Sequence, residues 1–284
     1  MSVAETFIEE DGFGFVPRPD RNKHNQSYEI VRSTQRYTMT NKHKASVQLI
    51  SWGATIQAIK IPNQAGILGD VVLGFDDVEG YLKNRYIGST IGRVANKISM
   101  GKMKINNKDY SLTINDKNST SHYNGGFVAF DNVNWNSYVF KKHVVGKYIR
   151  YKFLTAQVMT HTSTKNSEGY PGDLLTQIKY SWTDDNQLII NIRACATEPT
   201  PVNITNNCLM NLAGHVKSLS ILISQTFLSL PRRRIIHPGS GRTLELYSNH
   251  PGLRFSTGND LPDLSRKYPP DFEEYCDCMD KVRH

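Results

Sequence analysis

Apolar and polar residues alternate along most of this chain. The run "SVQLISWGATIQAIKIP", residues 46 to 62, keeps a period of two except at Trp52-Gly53, which predicts two strands meeting at a bend or tight turn. The same period returns in "KMKINNKDYSLTI", around an Asn-Asn turn, and in "KYIRYKFLTAQV", "DLLTQIKYSW" and "RTLELY". It also marks "QLIINIRACA", after an Asp-Asp-Asn turn, and "SLSILISQTFLSL". No segment of ten or more residues carries a clean 3.6-residue period with caps, and "DDVEGYLKN" at 76–84 is the best short helical turn. The pattern predicts an all-β architecture, a sandwich or barrel whose inward rows form the core.

Residues 1–27 are polar, and "PRPDRNKHNQS" is rich in charge and turn formers, so this stretch is expected to be a loose lead-in. No linker, repeat or low-complexity tract divides the remainder, and 28–284 is taken as one domain. Within it, "NITNNCLMNLAGH" at 203–215 alternates as a strand would, with Asn203, Thr205, Asn207 and Asn211 on one face. Amides grouped in this way need either neighbouring backbone or a hydroxyl-rich ligand as partners.

Composition narrows the class. The chain has 284 residues, 38% of them hydrophobic and 21% charged, which excludes a disordered or fibrous protein. The net charge of +8 is scattered, and its densest run is Arg232-Arg233-Arg234, expected to be a turn with solvated arginines; no nucleic-acid-binding pattern appears. The four cysteines, Cys195, Cys208, Cys276 and Cys278, lack zinc-knuckle spacing and are expected to be free thiols. "MSVAETFIEEDGFG" lacks a signal-peptide core, and no run reaches about 18 apolar residues. A cytoplasmic location and no membrane partner are therefore expected, with the sequons at Asn25, Asn118 and Asn203 unglycosylated.

Three further stretches are candidates for chemistry. "IGSTIGRVANKI" at 87–98 sets Gly, Arg, Asn and Lys in an apolar run and has neither the spacing nor the helix of a dinucleotide loop. "NSTSHYNGGFVAFDNVNW" at 118–135 has paired glycines, which suit a turn or one wall of a polar ligand site. "NSEGYPGDL" at 166–174 is explained by turn chemistry alone.

Taken in order, "LISWGATIQAIKIPNQAG", "DVVLGFDDVEGYL", "IGRVANKI", "GGFVAFDNVNW", "EGYPGDL", "TPVNITNNCLMNLAG" and "SGRTLELYSNHPGLRFSTGN" resemble the aldose 1-epimerase (galactose mutarotase) family over residues 47–259. The resemblance implies a β-supersandwich, two packed antiparallel layers with a sugar cleft on one face. It implies exchange of the α and β anomers of D-galactose and D-glucose: one group takes the C1 hydroxyl proton while another protonates the ring oxygen. In the family these are a Glu and a His, aided by a second His and an Asp, with no metal or organic cofactor.

Carried over residue by residue, the family's Asn-Arg pair stands here as Asn96-Lys97, its His before the paired glycines as Asn124, and its acid His as Asn207. His250 falls at a sugar-contacting Gln. Asn96, Lys97, Asn124, Asn207 and His250 are thus the expected sugar-binding residues, and no residue is assigned the proton transfers. The stretch between "NLAG" and "SGR" is short, so several strands, and with them the ligand Asp, are expected to be missing; Glu273 and Glu274 lie near the family's Glu without its motif. The resulting expectation is a hexose-binding protein with feeble or lost epimerase activity. One rival is a working epimerase that uses His122, His215 or His250 with Glu273 or Glu274; another is a β-rich partner protein that binds no sugar and docks through 232–234.

Overall fold

The structure, a computed structural model, describes residues 6–16, 32–116, 119–146, 149–214, 233–250 and 252. It opens with β1 (Phe7–Val16), β2 (Arg32–Thr40), β3 (Ser46–Ile50), β4 (Thr55–Pro62) and β5 (Leu68–Asp70), paired in that order as one antiparallel sheet. The described part of the lead-in is therefore sheet and not loose chain: Phe7 to Val16 pair with Thr40 to Arg32. The rest of 1–27 lies outside the described residues, apart from Thr6.

A helix of six residues, α1 (Val78–Lys83), follows, its N-terminus capped by Asp77 accepting from the Gly80 amide. Short strands β6 (Thr90–Ile91), β7 (Lys97–Ile98), β8 (Lys102–Ile105), β9 (Lys108–Ser111) and β10 (His122–Tyr123) come next, with β8 and β9 joined at Asn106 and Asn107, both at positive φ. The second large sheet runs β11 (Asn136–Gly146), β12 (Ile149–Ser163), β13 (Leu174–Trp182) and β14 (Leu188–Ala196), again antiparallel and in chain order. A two-residue β15 (Thr205–Asn206) pairs with β6, and the hairpin β16 (Arg233–Ile236) and β17 (Thr243–Leu246) completes the described chain.

The period of two in the sequence becomes the core. On β13, Leu174, Thr176, Ile178, Tyr180 and Trp182 point inward and are buried, while the residues between them are not. Leu174, Ile178, Tyr180 and Trp182 pack with Met159 of β12 against Tyr37, Met39, Val47, Leu49 and Ile56 of the first sheet. Each large apolar side chain so buried contributes roughly 1.5–3 kcal/mol. Polar tips of the buried aromatics find carbonyls in the opposite layer: Tyr180 Oη donates to Ala54 (2.8 Å) and Trp182 Nε1 to Ala45 (3.0 Å). The molecule is an all-β sandwich, as its alternation predicts.

Three expectations change. "QLIINIRACA" is a strand, but β14 is largely exposed on both faces. Within 203–211 only β15 is regular; Asn203 and Met210 make isolated bridges to Val94 and Val72. Arg233 and Arg234 lie in strand β16 and not in a turn, and Arg234 approaches Glu245 at 3.7 Å; Arg232 lies outside the described residues. The run "SLSILISQTFLSL" and the expected missing strands, between Gly214 and Arg233 and beyond Gly252, also fall outside them.

Candidate functional site

The candidate site grows from the loop between α1 and β7. Tyr86 and Gly88 turn the chain at positive φ, and a Cβ on Gly88 would meet the Ile56 carbonyl at 2.4 Å, so glycine is required there. The loop is stitched to the amide-rich segment: Asn207 N–H donates to Ser89 O (2.8 Å), Gly88 N–H to Asn207 O (2.9 Å), and Asn206 Nδ2 to Gly88 O (2.9 Å). Farther on, Asn203 N–H reaches Arg93 O (2.8 Å) and Ala95 N–H reaches Asn203 O (2.9 Å). The amides of Asn206, Asn207 and Asn211 thus hold backbone, Asn211 Nδ2 reaching Gly214 O at 3.2 Å.

Asn96 and Asn124 meet directly. Asn124 N–H donates to Asn96 O (3.0 Å), and Asn124 Oδ1 accepts from Asn96 N–H (2.8 Å). That second bond fixes the amide's orientation, since a backbone N–H can only donate. Asn207 Nδ2 donates to Tyr86 O (3.0 Å), which fixes that amide in the opposite sense. Among the described residues, neither Nδ2 of Asn124 nor Oδ1 of Asn207 has a partner, although the two residues are only 6% and 8% exposed. The rings of Tyr86 and Tyr123 pack edge to face (6.0 Å) beside them. Lys97, on β7, pairs with Asp116 (2.6 Å) and lies 5.6 Å from the Tyr123 ring. Four of the five expected residues, Asn96, Lys97, Asn124 and Asn207, therefore belong to one network through Tyr86 and Tyr123. His250 does not join it: its ring is exposed, and its backbone N–H bonds Ser248 Oγ (3.0 Å).

His122, the displaced acid of the rival reading, is fully buried and has both ring nitrogens occupied. Nδ1 lies 2.7 Å from Thr113 O and Nε2 2.8 Å from Tyr170 Oη. Burial holds its pKa below the usual imidazole value, with Thr113 and Glu168 pulling the other way. His215, Glu273 and Glu274 lie outside the described residues. Among the described residues no three His, Cys, Asp or Glu side chains are grouped to hold a metal ion, and no helix is long and apolar enough to cross a membrane.

Three side chains that support this network escaped the sequence reading. Arg93, 1% exposed, donates to the carbonyls of Ser163, Thr164, Pro171 and Gly172 and to the hydroxyls of Ser163 and Thr200. Arg85 forms a two-point pair with the buried Asp131 (2.9 and 3.0 Å). Glu168 accepts from the Phe127 and Val128 amides, so "NSEGYPGDL" does more than turn the chain. An arginine in an apolar run was the available signal for Arg93; for Glu168, 40 residues from its partner, there was none.

Sheet order and the amide network define a two-layer β-sandwich with a polar cluster on its connecting loops. The family model described as aldose 1-epimerase matches residues 35–232. The galactose mutarotase of Bos taurus is 32% identical over 272 residues, covering 76% of this chain and 75% of that protein, and the one from Mus musculus is 33% identical over 273. The aldose 1-epimerase of Escherichia coli (strain K12) is 30% identical over 179 residues, covering 62% and 47%. Two solved structures share the fold. An aldose epimerase homologue from C. elegans has a TM-score of 0.53 at 24% identity, and a galactose 1-epimerase from Lactobacillus acidophilus one of 0.55 at 20%. The chain spans 56% and 59% of their lengths, and they cover 70% and 78% of it. The chain belongs to the aldose 1-epimerase family.

Proposed function

We propose that this protein recognises hexoses through its amide network and exchanges their anomers feebly or not at all. One observation carries the reading: each of two nearly buried amides is anchored at one end and open at the other. Asn124 offers Nδ2 hydrogens and Asn207 offers Oδ1, a donor and an acceptor suited to sugar hydroxyls. Neither side chain can move a proton at neutral pH, and the buried His122 has both ring nitrogens engaged by Thr113 and Tyr170. Loss of a positioned general acid or base lowers a rate by about 10² to 10⁴, and loss of both leaves mainly binding.

Polarimetry on freshly dissolved α-galactose tests this. Decay of optical rotation at the buffer rate is the expected result, together with saturable amide shifts when galactose is titrated. Decay clearly above buffer would reject it in favour of a working epimerase, and absence of any saturable shift with galactose or glucose would reject sugar recognition.

A further inference from the structure

The loop from Gly125 to Val128 is gripped on two sides by opposite charges, yet it turns apolar side chains toward water. From one side the Glu168 carboxylate accepts from the N–H groups of Phe127 (3.1 Å) and Val128 (2.8 Å) and from Thr113 Oγ1. From the other, Arg85 Nη2 donates to Gly126 O (3.3 Å), the guanidinium being fixed by Asp131. The paired glycines make the grip possible: a Cβ on Gly125 would meet Gly92 O at 1.9 Å, and one on Gly126 would meet Glu168 Oε2 at 2.1 Å. Even so, Phe127 is 54% and Val128 44% exposed.

A loop fixed only for the sake of the fold would be expected to turn its largest apolar side chain into the core. Here two charged groups hold that side chain outside. The same clamp reaches the amide network, because Arg85 packs 4.8 Å from the ring of Tyr86, whose carbonyl anchors Asn207, and Asn124 directly precedes the loop. We propose that Phe127 is the stacking platform for the C–H face of the bound pyranose, and that Glu168 is a positioning residue which sets that platform. A pyranose has one face of polarised C–H bonds that suits the electron-rich face of an aromatic ring, while its hydroxyls need donors and acceptors of the kind Asn124 and Asn207 offer. The inference rests on the hexose-binding reading above.

The test is galactose titration of the full chain, read by backbone amide shifts, for wild type, Phe127→Ala, Glu168→Gln and the double variant. Phe127→Ala should weaken binding about three- to tenfold, the range of one aromatic contact, with the amide spectrum otherwise unchanged. Glu168→Gln should weaken it too, and the double variant should bind no worse than Phe127→Ala, since Glu168 acts through Phe127. In Phe127→Trp, the added indole emission should shift on galactose binding while that of the wild type, whose three tryptophans are buried, does not. Unchanged affinity in a well-folded Phe127→Ala would overturn the platform while leaving the amide site standing. Additive losses in the double variant would overturn the positioning role of Glu168. If wild type binds no galactose, the hexose reading falls, and the platform with it.

Discussion

Tyr170 donates its phenolic hydrogen to Nε2 of His122 at 2.8 Å, and the same imidazole donates from Nδ1 to the Thr113 carbonyl at 2.7 Å. A carbonyl can only accept, so Nδ1 carries the hydrogen and Nε2 is the acceptor. Burial raises the Tyr170 hydroxyl above the ordinary phenol range, which keeps it a donor throughout. We expect imidazole ¹⁵N shifts to report the neutral Nδ1–H form of His122 from neutral pH to below 6.5. A ring that titrates at the ordinary value would contradict the arrangement and reopen its use as an acid. Tyr170→Phe, which leaves Nε2 buried without its donor, should lower stability by about 1–3 kcal/mol in urea unfolding.

His161 makes the fold sensitive to acid. Its ring lies 5.4 Å from those of both Phe130 and Trp135, and burial, helped by the positive charge of Arg93, lowers its pKa to about 4. The unfolded chain takes up this proton near pH 6.5 and the folded chain does not. Stability from this group is therefore fully present above 6.5 and is lost as pH falls toward about 4. His161→Phe keeps the aromatic packing and removes the titration. Over that pH range, the urea midpoint of wild type should drop more than that of the variant; parallel curves would show that His161 is not linked to folding.

Arg93 replaces a hydrogen-bond framework that neighbouring backbone cannot supply for itself. Its fork gathers four carbonyls from residues 163–172, and among the described residues no carboxylate accepts from it. Lysine cannot reproduce the fork, and several carbonyls would be left buried without donors. Arg93→Lys should cost about 2–4 kcal/mol in urea, a loss built from several charge-assisted bonds. A change below about 0.5 kcal/mol would mean that water or relaxation takes over the role.

The sheets were legible in the sequence because burial on a strand follows a period of two: Leu174, Ile178 and Trp182 point inward as their alternation requires. Turn chemistry likewise placed the breaks at Trp52-Gly53 and Asn106-Asn107. Exposure along β14 was not legible, since Ile189 and Ile190 read as core residues in the sequence but are exposed, while Leu188 and Ile192 pack against the core and are only half-buried. For the site, family-aligned motifs marked Asn96, Lys97, Asn124 and Asn207, which do converge. His250 was marked in the same way and does not, because a motif position says nothing about how its hairpin docks. Glu168 and Arg85 were missed because each acts on backbone atoms of a distant loop, and backbone acceptors and donors leave no trace in residue letters.

Asn124 sits at φ +48, and its side chain closes the bond to Asn96 that holds the two loops together. Asn124→Ala loses this acceptor and a residue type that tolerates left-handed backbone, so about 1–2 kcal/mol of stability should go, read by urea unfolding. Replacing both Asn124 and Asn207 by His restores imidazoles at the family positions but supplies no carboxylate base. Among the described residues, the acids near this network are committed: Glu168 to loop amides, Asp131 to Arg85 and Asp116 to Lys97. The double variant should therefore leave the decay of α-galactose rotation at the buffer rate. Recovery of turnover by these two changes alone would show that one of these carboxylates, or Glu273 or Glu274, reaches the sugar as a base.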